Sequence, residues 1–453
     1  MNARAEVMTI PAEGTSARMP WGFAEWFLIS QTALPALLIL PGTQAFRLPI
    51  RVSAFLIPLA AFVKWNLDTE SSIRPPRAQS WVFSILFLLM LNLFHPSTPS
   101  FVGGLAQVGV YFAVMTPLFW APSYVRTPEH LARLIWILLV CCGVNAVVGV
   151  LQVYDPGRWM PAEFSRVTMA NVMALGPVSY VGPNGQTIVR PPGLFDTPGA
   201  VAGPAAYAAL LGVVFAVSAI PAWKRVLSLV FAGAGLAAIY LSQVRISLVT
   251  SVAMMIVYVA VAIRQGRAAR ATQFAILAGG LAVGAFILAL ALGGQTVHTR
   301  FMTLLASDPL SVYQNARGVQ LNVAFGDLFV NHPLGSGLGR WGMVANYFGS
   351  FPPGHDAIWA EIQLTGWMID GGILMIGLYI GALVVTAMTE YQIAISTRFP
   401  RLAQCGAVVL AANLGTAALI FSFTPFVTQV GIQYWFLAGA LHGVAQRYGT
   451  DGA

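Results

Sequence analysis

The chain has 453 residues, of which 57% are hydrophobic and 9% are charged, and its formal net charge is +8. A soluble domain has about 25% charged residues, so this composition excludes an ordinary soluble domain and indicates a chain that lies mostly in lipid. The basic residues are scattered through short loops without a Lys/Arg-rich tract, which argues against nucleic acid as a partner and favours membrane orientation as the reason for the positive charge.

Long apolar runs recur along the whole chain, and each is long enough to cross the roughly 30 Å hydrocarbon core of a bilayer. The runs are continuous and lack the period-2 alternation of a transmembrane barrel, so they predict helices. We therefore predict an all-α polytopic membrane protein, one integral membrane domain over residues 1–453 with about twelve transmembrane helices. The predicted spans are 21–40, 48–63, 79–94, 101–120, 131–154, 198–218, 226–244, 246–263, 272–293, 366–388, 403–423 and 425–444.

The basic residues concentrate in alternate loops, which by the positive-inside rule places both termini in the cytoplasm. Two long segments then lie on the outer side, an irregular one rich in Pro and Gly (155–197) and a second one (294–365). Arginine grips phosphate oxygens with a planar fork, so an outer face with arginine and no lysine favours an anionic substrate, although some arginines would snorkel or pair with acids. The outer arginines are Arg47, Arg51, Arg158, Arg166, Arg190, Arg245, Arg300, Arg317 and Arg340.

The second outer segment contains an amphipathic helix candidate with Arg317 beside its apolar stripe. The string Gly335–Gly342 matches GxGxxG, but no strand precedes it, so it predicts a tight glycine turn that positions Arg340 and not a dinucleotide site. The predicted stripe consists of Val312, Ala316, Val319 and Val323.

His355 and Asp356 lie just before the tenth predicted span. Histidine is suited to general-base work near neutral pH, and the helix that follows offers free N–H groups to an anion, with Asp356 as its predicted cap. The alternative is an interfacial histidine with an amphipathic ring. Arg245 stands between two spans with almost no loop, where a cation is costly unless it is paired, functional or snorkelling.

Four motifs follow one another between residues 190 and 380. Arg190–Pro198 places an arginine, a glycine and a proline just before a span, and Leu241–Arg245 places a serine–arginine step at the next outward turn. In this arrangement the chain resembles the O-antigen ligase and polymerase superfamily of bacterial envelopes.

The later motifs carry the same resemblance. Arg300, Arg317 and then Asn331–Gly337 are similar to the family's two arginines and "PLxGxG" turn, and His355 with Gly366 is similar to the ligase motif. The resemblance implies a glycosyltransferase in the bacterial inner membrane that acts, without cofactor or metal, on a glycan carried by undecaprenyl pyrophosphate. A flippase and a chain-length regulator would be its protein partners, with membrane lipid around it.

The resemblance also implies roles for individual residues. An acceptor hydroxyl would attack the anomeric carbon with inversion, His355 would be the general base, and the charge on the departing pyrophosphate would be stabilised by arginine. The catalytic residues so implied are His355, Arg190, Arg245 and Arg300. The substrate-binding residues are Arg317, Arg340, Asp356 and Glu361.

The resemblance leaves three alternatives for the acceptor of the glycan. A polymerase, which would extend a lipid-linked glycan, is favoured because Asp356 and Ile369 depart from the ligase motif. A ligase would transfer to lipid A–core, and a third variant would transfer to protein. A transporter or flippase is the alternative from another class, which we disfavour because nearly every charge is predicted at a span end and no inverted repeat is found.

Overall fold

The computed structural model describes residues 20–68, 74–164, 178–306, 308–351 and 356–449. Each predicted span coincides with a helix or with two consecutive helices, so the all-α architecture of a multi-pass membrane protein is confirmed. The helices up to the first outer segment are α1 Phe23–Ala36, α2 Arg47–Leu67, α3 Gln79–Asn92, α4 Phe101–Met115, α5 Pro117–Tyr124, α6 Pro128–Tyr154 and α7 Pro156–Trp159. Strands β1 Ser179–Val181 and β2 Thr187–Val189 follow, and then α8 Ala202–Ala216, α9 Ala222–Ser242, α10 Arg245–Arg264, α11 Ala268–Gly293 and α12 Gln295–Ala306. The remaining helices are α13 Pro309–Tyr313, α14 Val319–Asn322, α15 Phe329–Asn331, α16 Gly342–Phe348, α17 Gln363–Ala394, α18 Pro400–Ala418 and α19 Gln429–Arg447.

Length and hydropathy support fewer crossings than the twelve predicted. In the described part of the chain, 8 helical stretches are long and apolar enough to cross a membrane. Three shorter apolar helices, Phe23–Ile39, Gln79–Asn92 and Ala202–Ala216, accompany them. The number of spans therefore stays a prediction, as do the membrane and the sides on which the termini lie.

Small residues bring α8 and α9 into close contact at the centre of the bundle. A Cβ added at Gly212 would lie 2.6 Å from the Ser228 carbonyl oxygen, and one added at Gly235 would lie 2.7 Å from the Ala205 carbonyl oxygen. In lipid such close backbone approach replaces the hydrophobic driving force between helices. The pair therefore holds the end of α9, and the turn that follows it, firmly against the core.

A β-hairpin lies in the first outer segment, where the sequence predicts an irregular structure. Tyr180 pairs with Ile188 across the antiparallel strands. Both side chains are buried in an apolar cluster, separate from the main core of the bundle, with Tyr240 of α9 and with Val297 and Phe301 of α12. This cluster joins the hairpin, α9 and α12 into one platform.

The "PLGSG" turn of the second outer segment docks into a break in α17. Gly371 and Gly372 have non-helical backbone angles, and the amide of Ser336 donates to the Ile369 carbonyl at 2.8 Å. Ile373 in turn donates to the Pro333 carbonyl at 3.0 Å. The glycine turn predicted over Gly335–Gly342 is confirmed, because its four glycines all have positive φ. They are Gly335, Gly337, Gly339 and Gly342.

Two acidic side chains of α17 are buried inside the bundle. Asp370 is fully buried, and its Oδ2 accepts hydrogen bonds from Tyr111 at 2.8 Å and from the Trp341 indole at 2.8 Å. Glu390 is also buried, with Asn413 donating to its Oε1 at 2.6 Å. Hydrogen-bond donors compensate these carboxyl groups for the loss of water.

Helical structure forms where the sequence predicts the amphipathic helix of the second outer segment, and Val319 of the predicted stripe faces away from the core. Helical structure runs over Pro309–Asn331, with π-helical turns at Gln314–Gly318 and Val323–Leu328. Val319 of the predicted stripe is 60% exposed, Val323 packs partly buried against the core, and the side chains of Val312 and Ala316 lie outside the described ones. The buried side chains include Gln320, Ala324 and Leu328. The wider π turns rotate the face that meets the bundle, because each adds a residue per turn.

We expect the two outer segments to lie on the side opposite the α17–α18 loop. Single cysteines at Gln314 and at Thr397, both exposed, should react with a membrane-impermeant maleimide from opposite sides. The native thiols Cys141, Cys142 and Cys405 are replaced first, although the last two are buried. Labelling of both positions from one side of intact cells would contradict the orientation.

Candidate functional site

Arginines from three separate segments come together beside the hairpin platform. Arg190 follows β2, Arg245 begins α10 and Arg300 lies on α12. Burial, with further contributions from Arg245 and Arg190, lowers the pKa of Arg300 to about 10. Burial also lowers the pKa of Arg190, and Arg245 lowers it further. Arg190 and Arg300 remain protonated at neutral pH, so positive charge is concentrated in a partly buried site.

The loop that carries Arg190 is fixed by two polar clamps. The side-chain amide of Gln152 on α6 donates to the Gly193 carbonyl at 2.8 Å and accepts from the Gly193 amide at 2.8 Å. Gly193 has φ 66°, and a Cβ there would lie 2.1 Å from Asn145 Oδ1, so only glycine fits. The second clamp is buried Asp196, which pairs with Arg47 and, at 2.7 Å, with Arg51. Two of the outer arginines therefore hold the loop in place.

Tyr180 is a site residue that the sequence analysis missed. Its side chain is 6% exposed, it interacts electrostatically with Arg190, and its hydroxyl has no hydrogen-bond partner among the described residues. Burial raises the pKa of Tyr180, so the hydroxyl is a donor. One sequence feature could have indicated the hairpin that carries Tyr180. The Asn184–Gly185 pair lies between two short runs of β-branched and aromatic residues, which is typical of a hairpin.

Arg317 and Glu361, both predicted to bind substrate, form an ion pair with each other. The Glu361 amide donates to Gln320 Oε1 at 3.2 Å, and the Thr365 hydroxyl donates to the Gln320 carbonyl at 3.0 Å. These contacts attach the helical run of the second outer segment to the start of α17. Arg317 is thus partly neutralised, and none of its described contacts involves the three clustered arginines.

Arg340 holds the backbone that leads to α17. Its guanidinium donates to the Asp356 carbonyl at 2.9 Å and to the Ser336 carbonyl at 3.0 Å. Ile358 donates back to the Arg340 carbonyl at 2.7 Å. The predicted capping role of Asp356 is wrong, because α17 begins at Gln363 with Ile362 at its N-cap.

Of the remaining predicted residues, one is described by the structure and two are not. Arg158 is exposed and lies over the Trp159 ring at 5.7 Å. His355, the predicted general base, and Arg166 lie outside the described residues. The structure therefore brings Arg190, Arg245 and Arg300 together, while Arg317 and Arg340 stabilise the second outer segment.

Chemically, the cluster offers charged and neutral donors within a partly buried site. Such donors bind phosphate or carboxylate oxygens more strongly than they would in bulk water, since the surroundings are less polar. No protein-family model matches the chain, and no curated protein matches it either. What the site does is therefore inferred from its own geometry.

Proposed function

We propose that the protein is a glycosyltransferase that transfers a glycan from undecaprenyl pyrophosphate at the outer face of a bacterial inner membrane. The observation that carries this proposal is the convergence of Arg190, Arg245 and Arg300, three cations that repel one another beside the platform of the hairpin, α9 and α12. A lipid-linked diphosphate fits a cation cluster on a membrane protein, because its negative charge binds arginine and its polyprenyl chain partitions into the bilayer.

In the proposed reaction an acceptor hydroxyl attacks the anomeric carbon of the donor sugar. The bond from that carbon to the diphosphate oxygen breaks with inversion, the hydroxyl proton passes to His355, and undecaprenyl pyrophosphate leaves. Negative charge develops on the leaving oxygen, where fixed cations lower the barrier. The assignment of the base rests on the resemblance and on the side-chain type of His355, which suits general-base work near neutral pH.

Transfer is expected to proceed without a divalent metal, because the arginines supply the positive charge that metal ions supply in many transferases. The test uses purified protein in nanodiscs, with lipid-linked glycans extracted from the bacterium whose genome encodes the protein. Release of undecaprenyl pyrophosphate should continue at an unchanged rate in EDTA. Loss of activity in EDTA that magnesium or manganese restores would contradict the arginine mechanism.

We propose a polymerase, in which a second lipid-linked glycan is the acceptor. Offering the protein one acceptor at a time decides between the alternatives: a lipid-linked glycan for a polymerase, lipid A–core for a ligase, and a periplasmic protein for a protein transferase. Growth of the glycan only with the first supports the polymerase. Product only with lipid A–core would instead identify the ligase.

One observation favours a transporter or flippase as the second candidate. The interrupted helix α17 carries buried Asp370 next to its break, and interrupted helices with polar groups line the substrate sites of many transporters. Nanodiscs separate the two functions, because they have no closed compartment to transport into. Glycan transfer in nanodiscs supports the transferase, whereas movement of lipid-linked glycan across vesicles without new glycosidic bonds supports the transporter.

A further inference from the structure

The turn between α9 and α10 carries a glutamine in an unfavourable backbone conformation. Gln243 ends α9 with φ 55° and ψ 22°, and among the described residues it is the one non-glycine residue with positive φ. A Cβ disfavours this left-handed conformation, and glycine usually occupies such helix-ending positions. The backbone therefore gives no reason for a glutamine here.

The side chain of Gln243 adds a second unfavourable feature. It is 3% exposed, and its amide nitrogen is buried with no hydrogen-bond partner in the described part of the chain. Burying an amide donor without a partner is unfavourable, since the donor loses its water. Backbone strain clusters at active sites and ligand clamps, and a buried donor without a partner at such a place is available to a ligand.

The same turn adjoins the loop of Arg190. A Cβ built at Gly199 would lie 3.4 Å from the Val244 side chain and 4.0 Å from the side chain of Arg190. Arg190 Nε is also buried without a hydrogen-bond partner among the described residues, as is the hydroxyl of Tyr180. Three unsatisfied donors from the hairpin, the loop and the turn thus lie in the segments that carry the arginine cluster.

We propose that Gln243 and Tyr180 are substrate-binding residues that donate hydrogen bonds to the diphosphate of the lipid-linked donor. This inference rests on the proposed function and deepens it. Diphosphate oxygens are acceptors only, so they match a site whose unsatisfied groups are donors. Neutral donors add hydrogen bonds without increasing the repulsion among Arg190, Arg245 and Arg300.

The test measures binding of undecaprenyl pyrophosphate to purified protein in nanodiscs, with the uncharged lipid undecaprenol as the reference probe. Gln243→Gly and Tyr180→Phe should each bind undecaprenyl pyrophosphate about 3- to 10-fold more weakly, with undecaprenol binding unchanged. Tyr154→Phe is the matched control, since Tyr154 is 72% exposed, and it should bind as the wild type does.

The melting temperature separates ligand binding from a structural role. Gln243→Gly removes the backbone strain and the unsatisfied amide, so its melting temperature should equal or exceed that of the wild type. A lower melting temperature with undiminished diphosphate binding would show a structural role and overturn the inference.

Two further outcomes distinguish this inference from the proposed function. If the wild type transfers glycan and both variants bind the lipid diphosphate normally, the inference is wrong and the glycosyltransferase stands. If the wild type neither binds undecaprenyl pyrophosphate nor transfers glycan, the proposed function is wrong and the inference fails with it.

Discussion

Replacing Arg190, Arg245 or Arg300 by alanine, one at a time, is expected to lower the rate of glycan transfer about 10²–10³-fold. Each arginine is held by a different segment, so each contributes a fixed charge where the leaving group becomes negative. Substitution by lysine should give an intermediate loss, because lysine keeps the charge but not the bidentate fork. The measurement is the initial rate of undecaprenyl pyrophosphate release per mole of purified protein.

Arg158→Ala is the matched control for these variants, since Arg158 is an exposed arginine predicted to lie on the same face and should be dispensable. The double variant of Arg190 and Arg245 should lose little more than the worse single variant, because residues that act as a unit are not additive. Arg190→Ala should also fold as well as the wild type, since its removal relieves repulsion from Arg245. A rate near that of the wild type in all three alanine variants would contradict the cluster's role.

Replacing His355 by alanine is expected to lower glycan transfer about 10²–10⁴-fold at matched protein level. The reason is loss of the group that accepts the proton of the attacking hydroxyl. Binding of undecaprenyl pyrophosphate should be retained, because the arginines and not the histidine hold the diphosphate. Initial rates and lipid binding are measured on the same nanodisc samples.

His298→Gln provides the control, because it removes a different histidine of the second outer segment, and the imidazole of His298 is half-buried. His442 is a less suitable control, because it is buried in the core and its replacement would also change stability. Its Nε2 lies 3.3 Å from the Arg74 carbonyl oxygen. Normal polymer length and yield from His355→Ala would show that the base is a different group. Asp356 would then be the next candidate, ahead of Glu361, whose carboxylate pairs with Arg317.

Helix positions were predictable from the sequence because lipid demands internal hydrogen bonding over long apolar stretches. The predicted runs 246–263 and 272–293 correspond to Arg245–Arg264 and Ala268–Gly293. Helix interruptions were harder to predict. The break in α17 depends on Pro333 and Ser336, which are far away in sequence and supply hydrogen bonds to it.

The candidate site was predicted in part. Arg190, Arg245 and Arg300 were selected from their position outside the spans and from their order, and the structure brings them together. Tyr180 and Gln243 were not selected, because burial without a hydrogen-bond partner is a property of the packed site and leaves no pattern in the sequence. The NG turn before β2 was the one local signal that led towards Tyr180.

The sequence by itself determined the class of protein, since hydropathy and charge reflect the partition of each segment between lipid and water. It also predicted which arginines lie on the outer face. Only the tertiary structure decided their roles. Arg47 and Arg51 form ion pairs with Asp196, and Arg317 forms one with Glu361. Arg340 donates hydrogen bonds to backbone carbonyls. The physical reason is that an arginine's function depends on which groups share its space, and those groups come from segments far apart in the chain.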